Sequence, residues 1–348
     1  MNNVSFLPES FTNIPRVRKI LFVQAGALGD FILTLPAIRM LQSFFPEAVL
    51  EGLAVPQFLE LIKDDLHQIH SIDSARFSPL FIENHPALNQ LIPFFQNYDL
   101  ICSWISAPVS QNLAVLASEK IIQFTKPSTA QRLHCSRLYL DTLTRHGIDA
   151  TFSFPLLAPL QNRTFSKNHL PFRIAIHPGS GSPQKNWPLS NFCDLIEILL
   201  KNSLVHVSMI LGPAEKQWIE LLQTRFSLYK NFDIIKTISL TELVNRLCWS
   251  NLYLGNDSGV SHLAAALGLR TFVIFGPTDP VVWAPFSPLT TILTERPETK
   301  SGNLSNISVA HVLGHLGLFQ KKTDPSSRFI QNRIIDTGSF RQKIELPK

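Results

Sequence analysis

From Lys19 onward the chain alternates short apolar runs with stretches of helical periodicity, and this alternation constrains its fold more than any other feature. A short, uniformly apolar run suits a strand covered on both faces, and strands that take turns with amphipathic helices come back to one sheet in parallel. Residues 19–24 (KILFVQ) read as the first strand; the loop Ala25-Gly26-Ala27-Leu28-Gly29-Asp30 follows, and Leu35, Ile38, Leu41 and Phe45 then fall at helical spacing. Pro36 is expected to kink or restart that helix, because proline removes a backbone donor and crowds the preceding turn. Further strands are expected at 48–55, 98–105 and 120–124, with a helix at 58–63.

A proline-rich and polar stretch at 155–171 (PLLAPLQNRTFSKNHLP) breaks the rhythm and reads as a linker. Beyond it, strands at 173–177, 205–211, 232–236, 252–255 and 271–275 take turns with helices at 189–201, 214–225, 240–248 and 261–267, and a last helix is expected at 307–318. A chain of 348 residues exceeds the usual size of one core. The expected division is 1–160, 161–320 and a basic, poorly ordered tail at 321–348, and two domains leave a cleft between them.

Apolar residues make up 45% of the chain and charged residues 16%, which describes a globular α/β protein and excludes a disordered one. Cys102, Cys135, Cys193 and Cys248 lie far apart, as expected of reduced cysteines in a cytoplasmic protein that bind no metal. Residues 1–18 contain Pro8, Glu9 and Pro15 without a continuous apolar stretch, so neither signal peptide nor anchor is expected. The formal net charge is +5, and residues 321–348 account for +4 of it. A nearly neutral body argues against a nucleic-acid partner, whereas the tail suits a solvated terminus or a loose hold on an anionic membrane surface.

Four segments follow strand ends, where open α/β sheets collect ligands. The first is Gly26-Ala27-Leu28-Gly29-Asp30, whose glycines permit close backbone approach; its carboxylate serves either as an N-cap or as a functional group. The second is His177-Pro178-Gly179-Ser180-Gly181-Ser182-Pro183-Gln184-Lys185-Asn186-Trp187-Pro188, which offers N–H groups, hydroxyls and one mobile ammonium to an anion. The third, Gly255-Asn256-Asp257-Ser258-Gly259-Val260-Ser261-His262, turns from strand to helix and points free N–H groups at a phosphate. Asp257 is expected to accept hydrogen bonds from backbone or sugar hydroxyls, and His262 either donates to a ligand or packs inside the helix. The fourth is Gly212-Pro213-Ala214-Glu215, where Glu215 either grips ribose hydroxyls or acts as a helix-start acid. No D-x-D pair, nucleophile elbow or phosphate-loop lysine motif is present, and Asp64-Asp65 reads as solvated.

Taken in order with Phe275-Gly276-Pro277-Thr278-Asp279-Pro280, these segments resemble the family 9 glycosyltransferases, the lipopolysaccharide heptosyltransferases. The resemblance implies the GT-B arrangement of two facing Rossmann-like domains, with mostly parallel sheets, the acceptor on the first and a nucleotide-sugar on the second. It implies inverting, metal-independent transfer of heptose from ADP-heptose to a lipid-linked saccharide at the inner face of the inner membrane. Asp30 is then the general base and Lys185 the phosphate stabiliser. His177, Gly179, Ser180, Ser182, Glu215, Asp257, Ser258, Gly259 and His262 line the donor site, with Gly26 and Gly29 on the acceptor side. Closure of the domains would align the two halves. The chain departs from the family in having Gln24 and Asn186 where members commonly carry basic residues. Two other readings share this architecture: a nucleotide-sugar epimerase and a non-catalytic nucleotide-sugar binding protein.

Overall fold

A computed structural model describes residues 17–127, 132–158, 171–236, 239–295 and 303–318. The domain boundary expected at 160/161 and the 321–348 tail lie outside the described residues. The strands are β1 (Lys19–Val23), β2 (Val49–Ala54), β3 (Gln68–Ser71), β4 (Leu100–Ser103), β5 (Ile121–Gln123), β6 (Phe172–His177), β7 (Val205–Leu211), β8 (Phe232–Lys236), β9 (Leu252–Asn256), β10 (Arg270–Ile274) and β11 (Thr290–Leu293). The first five helices are α1 (Leu28–Phe44), α2 (Pro56–Leu59), α3 (Ile92–Gln96), α4 (Val109–Ala117) and α5 (Cys135–Arg145). Then come α6 (Leu189–Leu200), α7 (Ile219–Arg225), α8 (Leu240–Leu247), α9 (Gly259–Ala266), α10 (Pro280–Trp283) and α11 (Val309–Leu316).

The strands form two sheets, ordered β3-β2-β1-β4-β5 and β11-β10-β9-β6-β7-β8, and every pairing is parallel. Each begins in the middle, grows to one edge and then jumps back to grow to the other, the doubly wound pattern of nucleotide-binding folds. The apolar runs dictate this: β1, β4, β6 and β9 carry almost only buried residues, as strands covered by helices on both faces must. The order reverses between β1 and β4 and again between β6 and β9. Those two reversals open the crevices where such folds bind ligands.

Three apolar clusters hold the molecule together. One fills the outer face of the first sheet around Leu21, Phe94, Phe95 and Leu113, and another fills the outer face of the second around Ile174, Phe192, Leu199 and Val312. The third is shared: Phe22, Phe31, Leu35 and Leu143 from the first half pack in one cluster with Leu243, Leu247, Tyr253 and Leu263 from the second. Helices α1 and α9 meet in that cluster. A closing motion would therefore pivot about an apolar contact that already exists and is costly to separate.

Pro36 sits inside α1, which runs unbroken from Leu28 to Phe44 instead of restarting. Ten residues of α1 are buried, Pro36 among them, and their packing outweighs the ~3 kcal/mol that an interior proline costs. The helix expected at 58–63 is a single α turn followed by a tighter 3-10 turn over Glu60–Asp65, and 214–225 divides likewise into a 3-10 turn (Pro213–Trp218) and α7. Among the described residues no helix is long and apolar enough to cross a membrane.

Candidate functional site

The reversals of the two sheets face each other. From the first comes the turn between β1 and α1; from the second come the loop after β6 and the turn between β9 and α9. The approach is close because small residues line it: a Cβ on Gly29 would stand 3.2 Å from Cδ2 of His262, and one on Gly259 would stand 3.0 Å from Cβ of Leu28. The start of α1 thus rests on the start of α9.

Asp30 is the third residue of α1, and the cap position belongs to Ala27, so the capping role considered for Asp30 does not apply. A carboxylate there is favoured by the helix dipole and by unpaired N–H groups of the first turn. Gly26 makes room for it, since a Cβ would come within 2.8 Å of Asp30 Oδ2 and 2.7 Å of Gln24 Nε2. Gln24 is buried, and its Oε1 accepts from Gly26 N at 2.9 Å, fixing the turn. Lys126, after β5, lies 3.4 Å from both oxygens of Asp30 and 5.9 Å from the centre of the Trp283 ring.

In the second half, Asp257 is buried and accepts on Oδ2 from Lys185 Nζ and from Thr278 Oγ1, each at 2.8 Å. Both partners are side chains, Lys185 and Thr278. Asn256, wholly buried, ties the loop that carries Lys185 to β9: its Nδ2 donates to Pro178 O at 2.6 Å and its Oδ1 accepts from Trp187 N at 3.0 Å. Trp187 is itself anchored through Nε1 to Ile307 O. Ser258 caps α9, leaving the N–H groups of Gly259 and Val260 without intrahelical acceptors, as in any first turn. Ser180 spends its hydroxyl inside the loop, donating to Ser182 O at 2.7 Å, so the backbone of this segment is better placed to meet an anion than that hydroxyl.

Glu215 serves as a helix-start acid, with Oε2 accepting from Gly212 N at 2.8 Å, and it is also pressed against the second loop. A Cβ on Gly179 would overlap its carboxylate. His177 is buried beside it, with Nε2 3.9 Å from Glu215 Oε2. His262 is buried at the junction of α1 and α9, with Nε2 4.0 Å from Asp257 Oδ1. Burial pushes both histidines down to about 4, His262 in spite of the opposing pull of Asp257 and Asp30, so both rings are neutral near pH 7. Among the described residues Nδ1 of each has no hydrogen-bond partner. The chain Lys126, Asp30, His262, Asp257, Lys185 therefore crosses from one half to the other, with two cations, two carboxylates and one neutral ring.

Sequence reading missed several members of this assembly. Lys126 and Arg132 stand in a polar stretch without pattern, yet Arg132 Nε lies 3.0 Å from Asp279 Oδ2 and His134 Nε2 lies 2.9 Å from Ala284 O. Both contacts tie the segment after β5 to the loop after β10. Thr278 lay within the segment 275–280, and no local signal marked its hydroxyl. Asp65, read as solvated, receives Arg39 at 2.8 Å. That pair borders a groove of about 1060 Å³ lined by Arg39, Lys63, Asp65, Phe152 and Leu156. Arg39 is nine residues along α1 from Asp30, about 14 Å away. Arg39 also bonds Leu156 O, and Lys63 lies 3.5 Å from Glu60, so Arg39, Asp65, Lys63 and Glu60 are paired within the groove. Among the described residues no group of three or more His, Cys, Asp or Glu side chains is placed to hold a metal ion.

Comparison with known proteins is consistent with this geometry. The sequence pattern of glycosyltransferase family 9 (heptosyltransferase) matches residues 142–310. A putative glycosyltransferase of Haemophilus influenzae is 23% identical over 336 residues, spanning 87% of this chain and 97% of the relative. Lipopolysaccharide heptosyltransferase 1 of Salmonella typhimurium is 24% identical over 310 residues, spanning 75% of this chain and 89% of the relative. The solved structure of the E. coli ADP-heptose LPS heptosyltransferase II superimposes with a TM-score of 0.66 at 17% identity, over 86% of this chain and 97% of that one.

Proposed function

We propose that the chain is a heptosyltransferase-like glycosyltransferase of family 9 that moves heptose from ADP-heptose onto a lipopolysaccharide-type saccharide, with inversion and without a bound metal. The observation that carries this reading is the meeting of Asp30 from the first half with the Asp257–Lys185 pair from the second, at the two points where the sheets reverse. A displacement at an anomeric carbon needs a base on the acceptor side and positive charge on the leaving-group side. Those two requirements fall on opposite walls of one crevice here.

In this mechanism Asp30 takes the proton of the acceptor hydroxyl as its oxygen bonds to the anomeric carbon. The bond from that carbon to the diphosphate oxygen breaks, and its electron pair leaves with the diphosphate. Lys185 and the N–H groups of Gly259 and Val260 meet the developing charge. His177, Gly179, Ser180 and Ser182 shape the nucleotide wall with Glu215 packed behind Gly179, while Gly26 seats the Asp30 carboxylate and Gly29 lets the start of α1 rest on α9. The acceptor lies at the inner face of the inner membrane, which the protein reaches peripherally, with its 321–348 tail on the anionic surface.

The test is transfer from ADP-heptose to heptose-deficient lipopolysaccharide in the presence of a chelator, followed by mass spectrometry. A mass gain of one heptose with release of ADP is expected, and Asp30→Asn should lower the rate ~10²- to 10⁴-fold. Conversion of the sugar nucleotide without any acceptor would overturn transfer in favour of epimerisation. Full activity of Asp30→Asn would overturn the assigned base.

A further inference from the structure

Asp257 holds two donors on one oxygen. Lys185 Nζ and Thr278 Oγ1 both lie 2.8 Å from Oδ2, whereas Oδ1 lies 4.0 Å from the neutral ring of His262, beyond hydrogen-bond reach. The carboxylate plane is therefore set by a lysine and a threonine together. These two donors differ in freedom. Lys185 ends a 3-10 turn, its side chain is 32% exposed, and it can turn toward an incoming anion. Thr278 cannot: the next residue, Asp279, starts α10 by accepting from Val281 N at 3.0 Å and is bound to Arg132 of the other half at 3.0 Å. Three residues before Thr278, Phe275 is buried, with its N–H bonded to Leu293 O.

We propose that Thr278 is a positioning residue for the diphosphate site, acting on Lys185 through Asp257. A carboxylate oxygen that already accepts from a hydroxyl holds an ammonium less tightly than a bare one. In the empty site Thr278 loosens the grip of Asp257 on Lys185, so the lysine is presented to the crevice and still released to a phosphate. Once Lys185 has turned to the phosphate, the hydroxyl stays on Oδ2, keeps the carboxylate in plane and offsets part of its repulsion of the diphosphate. Without the hydroxyl, Asp257 keeps the lysine and repels the anion, and both effects weaken nucleotide binding.

This inference rests on reading the crevice as the nucleotide site, and ADP is the probe that separates the two claims. Full-length protein is titrated with ADP by calorimetry for the wild type, Thr278→Val, Thr278→Ser and Asp257→Asn, and for Thr278→Val combined with Asp257→Asn. Valine keeps the shape and loses the donor; serine keeps the donor. Thr278→Val should raise the Kd for ADP at least 5-fold, and Thr278→Ser should stay within 2-fold of the wild type. In the Asp257→Asn background the valine should change Kd by less than 2-fold, because the charged oxygen it acts on is gone. Thr278→Ala carries the same test if the valine variant does not fold. Wild-type affinity in Thr278→Val, failure of serine to rescue, or an undiminished valine effect in the Asp257→Asn background would each overturn the proposal, the last two by pointing to loop packing instead. Absence of ADP binding by the wild type would take down the nucleotide-site reading itself, and this inference with it.

Discussion

Replacing Gly179 by alanine puts a methyl group where the Glu215 carboxylate now lies. The added carbon would overlap Oε1 and Cδ of Glu215 and stand 3.0 Å from its Cγ. Glu215 is only 4% exposed, so it cannot swing into water, and moving it breaks the 2.8 Å bond from Gly212 N that fixes the start of the following turn. Losing a charge-assisted bond to a buried carboxylate costs about 1.5–3 kcal/mol. Residual crowding adds about 1–3 kcal/mol. Partial relaxation of the exposed loop brings the net cost to about 2–4 kcal/mol, or a melting midpoint about 5–10 °C lower in a domain of this size. Gly181, two residues on, is the internal control, because a Cβ there meets nothing within 4 Å and Gly181→Ala should stay within about 0.5 kcal/mol of the wild type. Differential scanning calorimetry of the two variants decides the matter. If they melt within about 1 °C of each other, the packing of Glu215 against Gly179 does not hold this wall.

Four further outcomes are expected. His177 and His262 are pushed down to about 4 by burial, whereas an unfolded histidine takes its proton near 6.5, so acid favours the unfolded chain. The melting midpoint should be flat above about pH 6.5 and fall from there to about pH 4; a flat profile across that window would show that the rings are not buried and neutral. Buried Glu51 adds to the loss below its ordinary value of 4.5: burial alone would raise it, but His70, Tyr98 and Lys19 together hold it lower. Gly259→Ala should cost about 1–3 kcal/mol by pressing Leu28 and parting α1 from α9, which a denaturation midpoint reads directly. Arg132→Glu should change stability by no more than about 1 kcal/mol, since its side chain is 43% exposed, yet lower transfer by loosening the loop after β10; adding Asp279→Arg should restore part of the rate.

The central strands were legible because burial on both faces leaves a continuous apolar run: β7 begins and ends where the sequence placed it, and β6 and β9 differ from their expected spans by one residue at one end. Edge strand β3 (QIHS) escaped, since three of its residues are half-buried and one is exposed, so no apolar run marks it. The restart allowed for at Pro36 does not occur: local proline chemistry favours a break, and the packing of a helix buried in a shared core keeps α1 continuous. At the site, turns with glycine and a following acid stood out because they need special backbone approach. Lys126, Arg132 and Thr278 did not, because each acts on a residue 96, 147 or 21 positions away, and only the meeting of the two sheets and the return of the loop after β10 bring them there. Asn256 was visible within its segment, but its work, holding the Lys185 loop to β9, is written in contacts 69 and 78 residues distant.

In the proposed mechanism the first half supplies the base and the second half holds the nucleotide. Calorimetric titration of ADP into the wild type, Asp30→Asn and Lys185→Met measures this without an acceptor. The expected result is a Kd within 2-fold of the wild type for Asp30→Asn and a rise of about 10-fold or more for Lys185→Met, the loss of one charge-assisted contact to phosphate. Unchanged ADP affinity in Lys185→Met, or a collapse of affinity in Asp30→Asn, would contradict it.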